Sequence, residues 1–147
     1  DKYLPRLISM EDFSSYCLTE PDSGSDSKAM KSFARKEGNE YVLSGSKMFI
    51  SGGSFSSFYI VMAKTSPEQV SAFIVEGNQK GVLYGKKEEK MGWTIQLTAL
   101  VTFDNVRIPA ANLIGKEGDG FKIAMRALDG GRINIASCSL GGATFCL

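Results

Sequence analysis

Short apolar runs separated by turn residues fill most of the chain, and their spacing is that of strands. Ser14–Thr19, Lys28–Arg35, Glu40–Ser51, Phe58–Thr65, Val70–Glu76, Tyr84–Lys90 and Leu97–Val106 read as strands. Ala29, Lys31 and Phe33 alternate weakly in the second. Tyr41, Leu43, Met48 and Ile50 are the core candidates of the third, in which Gly45 marks a bulge. Phe58–Thr65 is apolar without alternation, the mark of a strand covered on both faces, whereas the mixed-charge run Lys86–Lys90 suits an edge. Leu97, Ala99, Val101 and Phe103 share one side of the last strand. Such short strands, punctuated by Gly, Pro and Asn, predict a mainly β domain: an antiparallel β-barrel or two packed sheets of about seven strands.

The period changes near Gly118. Phe121, Ala124, Met125 and Leu128 fall on one face of a helix. After Gly130-Gly131 the run to Leu147 is apolar on many sides (Ile133, Ile135, Ala136, Cys138, Leu140, Ala143, Phe145), a pattern that needs helical neighbours or another subunit. Residues 1–13 read as the end of a helical segment and a linker. The organisation expected is therefore 1–13, then a β-domain over 14–117, then a C-terminal α-helical segment over 118–147, the whole read as a piece of a longer protein.

Composition narrows the chemistry. The chain has 147 residues, a net charge of +1 and no histidine. Neither a Ser-His-Asp or Cys-His nucleophile nor a His-ligated metal is available, and no basic run invites nucleic acid. The three cysteines, Cys17, Cys138 and Cys146, have unrelated spacings that fit reduced thiols rather than a disulfide framework. No apolar run approaches the ~20 residues of a membrane span. The glycines of Gly115–Gly120 precede the helix but match no phosphate-binding motif, and a plain loop accounts for them. What remains is ligand binding by hydroxyls, backbone amides and aromatic faces, the way proteins hold cofactors that carry the chemistry themselves. The richest stretch for this is Tyr16–Asp26 (YCLTEPDSGSD), an apolar strand running into a turn of hydroxyls, glycine and carboxylates. A second hydroxyl-bearing strand end, Lys47–Ser51, follows it. Taken alone, Thr19 and Ser51 are ordinary strand hydroxyls, while Tyr16 and Met48 fit core packing as well as ligand contact.

Six stretches together resemble the acyl-CoA dehydrogenases, in that family's order: Tyr16–Asp26, Leu43–Ser51 (LSGSKMFIS), Phe103–Pro109 (FDNVRIP), Asn112–Gly120 (NLIGKEGDG), Gly120–Leu128 (GFKIAMRAL) and Asp129–Arg132 (DGGR). Tyr84–Trp93 and Gly131–Gly141 look most like its short branched-chain branch. The resemblance implies a middle β-domain with the start of a C-terminal helical domain, and FAD held between them. Tyr16, Cys17, Leu18, Thr19, Gly24 and Ser25 would line the flavin and its pyrophosphate side, with Thr19 toward the pyrimidine edge. Phe49, Ile50 and Ser51 would form the second contact, Phe49 against the ring face and Ser51 near N5. Phe49 occupies a position that is often tryptophan in the family. Ser25, Asp129, Gly130, Gly131 and Arg132 would bind the CoA moiety.

The implied reaction oxidises a short branched-chain acyl-CoA to the 2-enoyl-CoA, with electron-transfer flavoprotein as acceptor. The implied setting is a homotetramer in the mitochondrial matrix. No residue matches the family's catalytic base, so no turnover and little FAD retention are expected of residues 1–147 by themselves. An acyl-CoA oxidase, a non-catalytic β-barrel ligand-binding module, and a scaffold dimerising through residues 121–147 are the competing readings.

Overall fold

A computed structural model describes residues 2–147. The elements run α1 (Leu4–Ile8), β1 (Ser14–Cys17), β2 (Phe33–Glu37), β3 (Glu40–Ser51), β4 (Phe58–Lys64), β5 (Val70–Glu76), β6 (Val82–Lys87), β7 (Thr98–Pro109), β8 (Leu113–Ile114) and α2 (Gly120–Cys146). The eight strands form one hydrogen-bonded sheet in the order β6-β7-β3-β2-β4-β5-β8, with β1 beside β4. The mainly β class with a C-terminal helix is as expected. Two details are not: the path does not close, and both β1 and β2 pair with β4 in parallel, so the sheet is mixed.

Two apolar layers hold the sheet. Tyr59, Val61 and Ala63 of β4 and Phe73 and Val75 of β5 enter the main core with Cys17, Leu43, Val101, Phe103, Val106 and Ile108. The alternate positions, Met62, Val70 and Ala72, turn to the other side. There they meet Leu18 and Met30, with Phe121, Ala124, Met125 and Leu128 of α2 laid over them. This two-sided burial is why β4 carries an unbroken apolar run. At the start of α2 a side chain on Gly120 would come within 2.5 Å of the Ser71 carbonyl carbon, so only glycine lets the helix approach β5. Beyond Leu128 the helix leaves this layer, and Ile133, Ile135, Leu140 and Phe145 are exposed.

Local register and strand bounds depart in places from simple alternation. Gly45 does sit at a slip between β3 and β7, but the extra residue lies in β7, where Asp104 and Asn105 together face Ser44. The Gly45 φ of +150° and the Ser32 Oγ, 2.2 Å from where a Cβ would lie, leave room for glycine alone. Lys28–Arg35 is not one strand: Ser27–Ala29 form a 3₁₀ turn, closed by the Ala29 N–H on the Asp26 carbonyl, and β2 begins at Phe33. The buried positions there are Met30, Ser32 and Ala34, one residue out of phase with the apolar alternation in the sequence. The charged strand is an edge, as expected, but spans Val82–Lys87. β8 has two residues, too few for any periodic signal.

Candidate functional site

β1 and the Leu18–Glu20 segment that continues it lie alongside β3 and are joined to it by four links rather than by a ladder. The Ser15 hydroxyl donates to the Ser51 carbonyl at 2.5 Å, and the Met48 N–H donates to the Thr19 carbonyl at 2.8 Å. The Lys47 ammonium donates to the Leu18 carbonyl at 3.1 Å and to the Glu20 carboxylate at 2.7 Å. Thr19 and Ser51 therefore stand on adjoining segments. The Thr19 side chain is partly buried and that of Ser51 is exposed. Neither hydroxyl takes part in a hydrogen bond among the described residues, so both are available to an outside partner.

Between them β3 itself is bulged. Lys47 faces Val101 and Ile50 faces Ala99, so Met48 and Phe49 together oppose the single Leu100. Phe49 takes φ +58° and leaves its ring 57% exposed. A bulky aromatic in the left-handed region costs on the order of 1–3 kcal/mol and persists only where its surroundings over-determine it. Bulges of this kind re-aim a side chain. Here the bulge takes Phe49 out of the alternation and leaves Ile50 in the core at 3% exposure.

The flanking residues divide between core and surface. Cys17 is fully buried, and burial pushes its thiol up to about 12 against the opposing pull of Lys47, so its side chain belongs to the core and only its main chain lies along this edge. Tyr16 packs against α2 and donates to the Ala124 carbonyl at 3.3 Å; burial pushes its phenol up to about 12. Leu18 belongs to the layer under α2. Gly24 and Ser25 are exposed beyond the tight Glu20–Ser23 turn, in which the Glu20 and Ser23 amides and carbonyls bond reciprocally. Asp129 and Arg132 pair with each other at 3.1 Å on the exposed part of α2, with Gly130 and Gly131 between them. No hydrogen bond joins either charged residue to the Thr19–Ser51 edge among the described residues.

The functional feature that sequence reasoning left out is the ion pair beneath this edge. Lys47 has a side chain with no exposure and Glu20 one with 4%. The Glu20 carboxylate also accepts the Lys31 N–H at 2.6 Å and the Ser32 N–H at 3.1 Å. Burial pushes the Glu20 carboxyl up, but the Lys47 ammonium and these N–H groups outweigh it and hold it below the ordinary carboxylate range. Burial lowers Lys47, with Glu20 opposing. The signal was present in the sequence as Leu-Thr-Glu and Ser-Lys-Met, inside the two richest stretches, but lysine and glutamate read by default as surface residues.

A family model described as acyl-CoA dehydrogenase, middle domain, matches residues 15–106. The chain is 55% identical over 150 residues to the mitochondrial isobutyryl-CoA dehydrogenase of Dictyostelium discoideum, covering 99% of this chain and 36% of that protein. Butyryl-CoA dehydrogenase of Megasphaera elsdenii superposes with a TM-score of 0.90 at 42% identity, over 92% of this chain and 37% of that one. An acyl-CoA dehydrogenase of Bacillus anthracis complexed with FAD does so with a TM-score of 0.85 at 42% identity, over 89% of this chain and 23% of that one. The chain thus spans little more than a third of the curated relative it matches. With order, motifs and fold in agreement, the chain belongs to the acyl-CoA dehydrogenase family.

Proposed function

We propose that this chain supplies the flavin-facing β-domain of an FAD-dependent acyl-CoA dehydrogenase acting on a short branched-chain acyl-CoA. The observation that carries the reading is the pair of uncommitted hydroxyls, Thr19 and Ser51, on adjoining segments with the outward Phe49 ring between them in the chain. One aromatic face, two hydroxyls and the main-chain polar groups of a bulged strand suit a flat polar heterocycle. FAD, when bound, supplies the acceptor for the substrate's β-hydride. Thr19 orients the pyrimidine edge. Ser51 would offer a hydrogen-bond donor near N5, where hydride arrives; negative charge builds on the ring as it is reduced, and placed donors favour that state. Phe49 covers the ring face, and Gly24 and Ser25 serve the pyrophosphate and CoA side.

Asp129, Gly130, Gly131 and Arg132 are assigned to the CoA moiety, Arg132 through charge-assisted bonds once it leaves Asp129. In support of the chain's division we note the change from sheet to helix at Gly120, and assign 1–13, 14–117 and 118–147 to successive domains. The catalytic base is placed outside residues 1–147. Electron-transfer flavoprotein as acceptor, a homotetramer, and the mitochondrial matrix complete the proposal. The Dictyostelium relative's mitochondrial name supports the location, while the bacterial likenesses are equally compatible with a cytoplasmic one.

Anaerobic mixing of the flavin-loaded full-length protein with isobutyryl-CoA tests the reading. Bleaching of the flavin absorbance, with reoxidation faster by electron-transfer flavoprotein than by air, is the expected result. No bleaching with any short acyl-CoA contradicts it, and rapid reoxidation by air alone makes it an oxidase.

A further inference from the structure

We propose, on the FAD reading given above, that Glu20 and Lys47 are positioning residues whose buried ion pair locks the Leu18–Thr19 and Met48–Ser51 segments into the spacing the flavin edge requires. Two charges are fully desolvated at this one place. A buried pair is a poor source of stability, since an apolar pair of equal volume does as well or better. What the pair does that an apolar pair cannot is fix directions. Lys47 donates to Glu20 and to the Leu18 carbonyl, the carbonyl immediately before Thr19. Glu20 turns the chain on by accepting the N–H groups of Lys31 and Ser32. One point in β3 is thus tied to both ends of the loop that carries Thr19, Gly24 and Ser25.

The bulge begins at the residue after Lys47. There Met48 and Phe49 together oppose Leu100 of β7, and the Met48 N–H donates to the Thr19 carbonyl at 2.8 Å. Phe49 then holds a positive φ that its side chain disfavours. That conformation is bounded by Lys47, fixed by charge, on one side and by Ile50, fixed in the core, on the other. Slack in the ion pair would let Met48 move off Thr19 and Phe49 relax, changing the distance between the two hydroxyl-bearing segments while β4 and β5, which make no hydrogen bond to either charged side chain among the described residues, stay in place.

The experiment compares the full-length protein with its Glu20→Gln variant, which keeps the shape and an acceptor oxygen for Lys31 and Ser32 but removes the counter-charge of Lys47. FAD is titrated into the flavin-stripped proteins, and amide exchange is followed at Met48, Val61 and Phe73. The expected result is an FAD dissociation constant about tenfold higher and Met48 exchange about tenfold faster, with Val61 and Phe73 unchanged. Two results overturn the proposal. One is unchanged FAD affinity and Met48 protection. The other is uniform acceleration at all three amides, or failure of the variant to fold, either of which makes the pair a general support of the core. Should the wild-type protein take up no FAD, the functional reading fails on its own, and the exchange contrast still decides whether the pair braces this edge.

Discussion

Two surfaces of the same sheet are held in opposite ways. Under the first turns of α2 the contact is apolar: Met62, Val70 and Ala72 meet Ala124, Phe121 and Leu128, with one close approach at Gly120. Between β3 and the Leu18–Glu20 segment that continues β1 the ties are polar, a buried ion pair and a main-chain bond to Thr19, with Ser15 of β1 adding a bond to the Ser51 carbonyl. Area burial is non-directional and tolerant of small shifts, whereas hydrogen bonds and ion pairs fix angles. The difference teaches where each property of this domain resides: cohesion lies in the apolar layers and ligand geometry in the polar edge.

Four changes break or sharpen that contrast. Lys47→Met leaves Glu20 as an unpaired buried carboxylate and is expected to cost about 3–5 kcal/mol, read as a lower urea midpoint. Gly120→Val forces a side chain into the Ser71 backbone and is expected to cost about 1–3 kcal/mol, with Tyr16 fluorescence reporting release of α2. A silent substitution would mean that the helix start is not packed against Ser71.

Acid gives a smaller effect with a definite sign. Because Glu20 is held below its unfolded value of about 4.3, it contributes stability above that pH and loses it as pH falls through the folded value. Glu37, Glu76 and Glu117 are lowered as well and share the limb. The part owed to Glu20 is the difference between wild type and Glu20→Gln below about pH 4, and the variant's acid limb should be the shallower. The smallest change runs the other way: Phe49→Gly removes left-handed strain from an exposed side chain and is expected to raise stability by roughly 1 kcal/mol or less while weakening FAD binding. A loss of both together would mean that Phe49 supports the core.

Much of this architecture was legible in the sequence because it rests on periodicity. The unbroken apolar run of β4, an irregularity at Gly45 and the helix from Phe121 each follow from spacing or from glycine. Lys28–Arg35 was not legible, because its true inward residues include Ser32, and a buried serine carries no hydrophobic signal. The parallel pairing of β1 with β4 depends on contacts between segments far apart in the chain, which no local pattern records. At the site, Thr19, Phe49 and Ser51 stood out through their neighbours in sequence. The Glu20–Lys47 pair did not, since its meaning comes only from both charges being sealed under the same edge.

The most direct measurement of the central claim is an FAD titration of the full-length protein beside its Thr19→Val/Ser51→Ala variant, followed by flavin absorbance. Loss of two hydroxyl contacts, each worth about 0.5–1.5 kcal/mol, predicts binding weaker by roughly 5- to 150-fold and a shifted visible band, with an unchanged melting temperature for the flavin-free proteins. Equal affinity and an identical spectrum in the two proteins would contradict it.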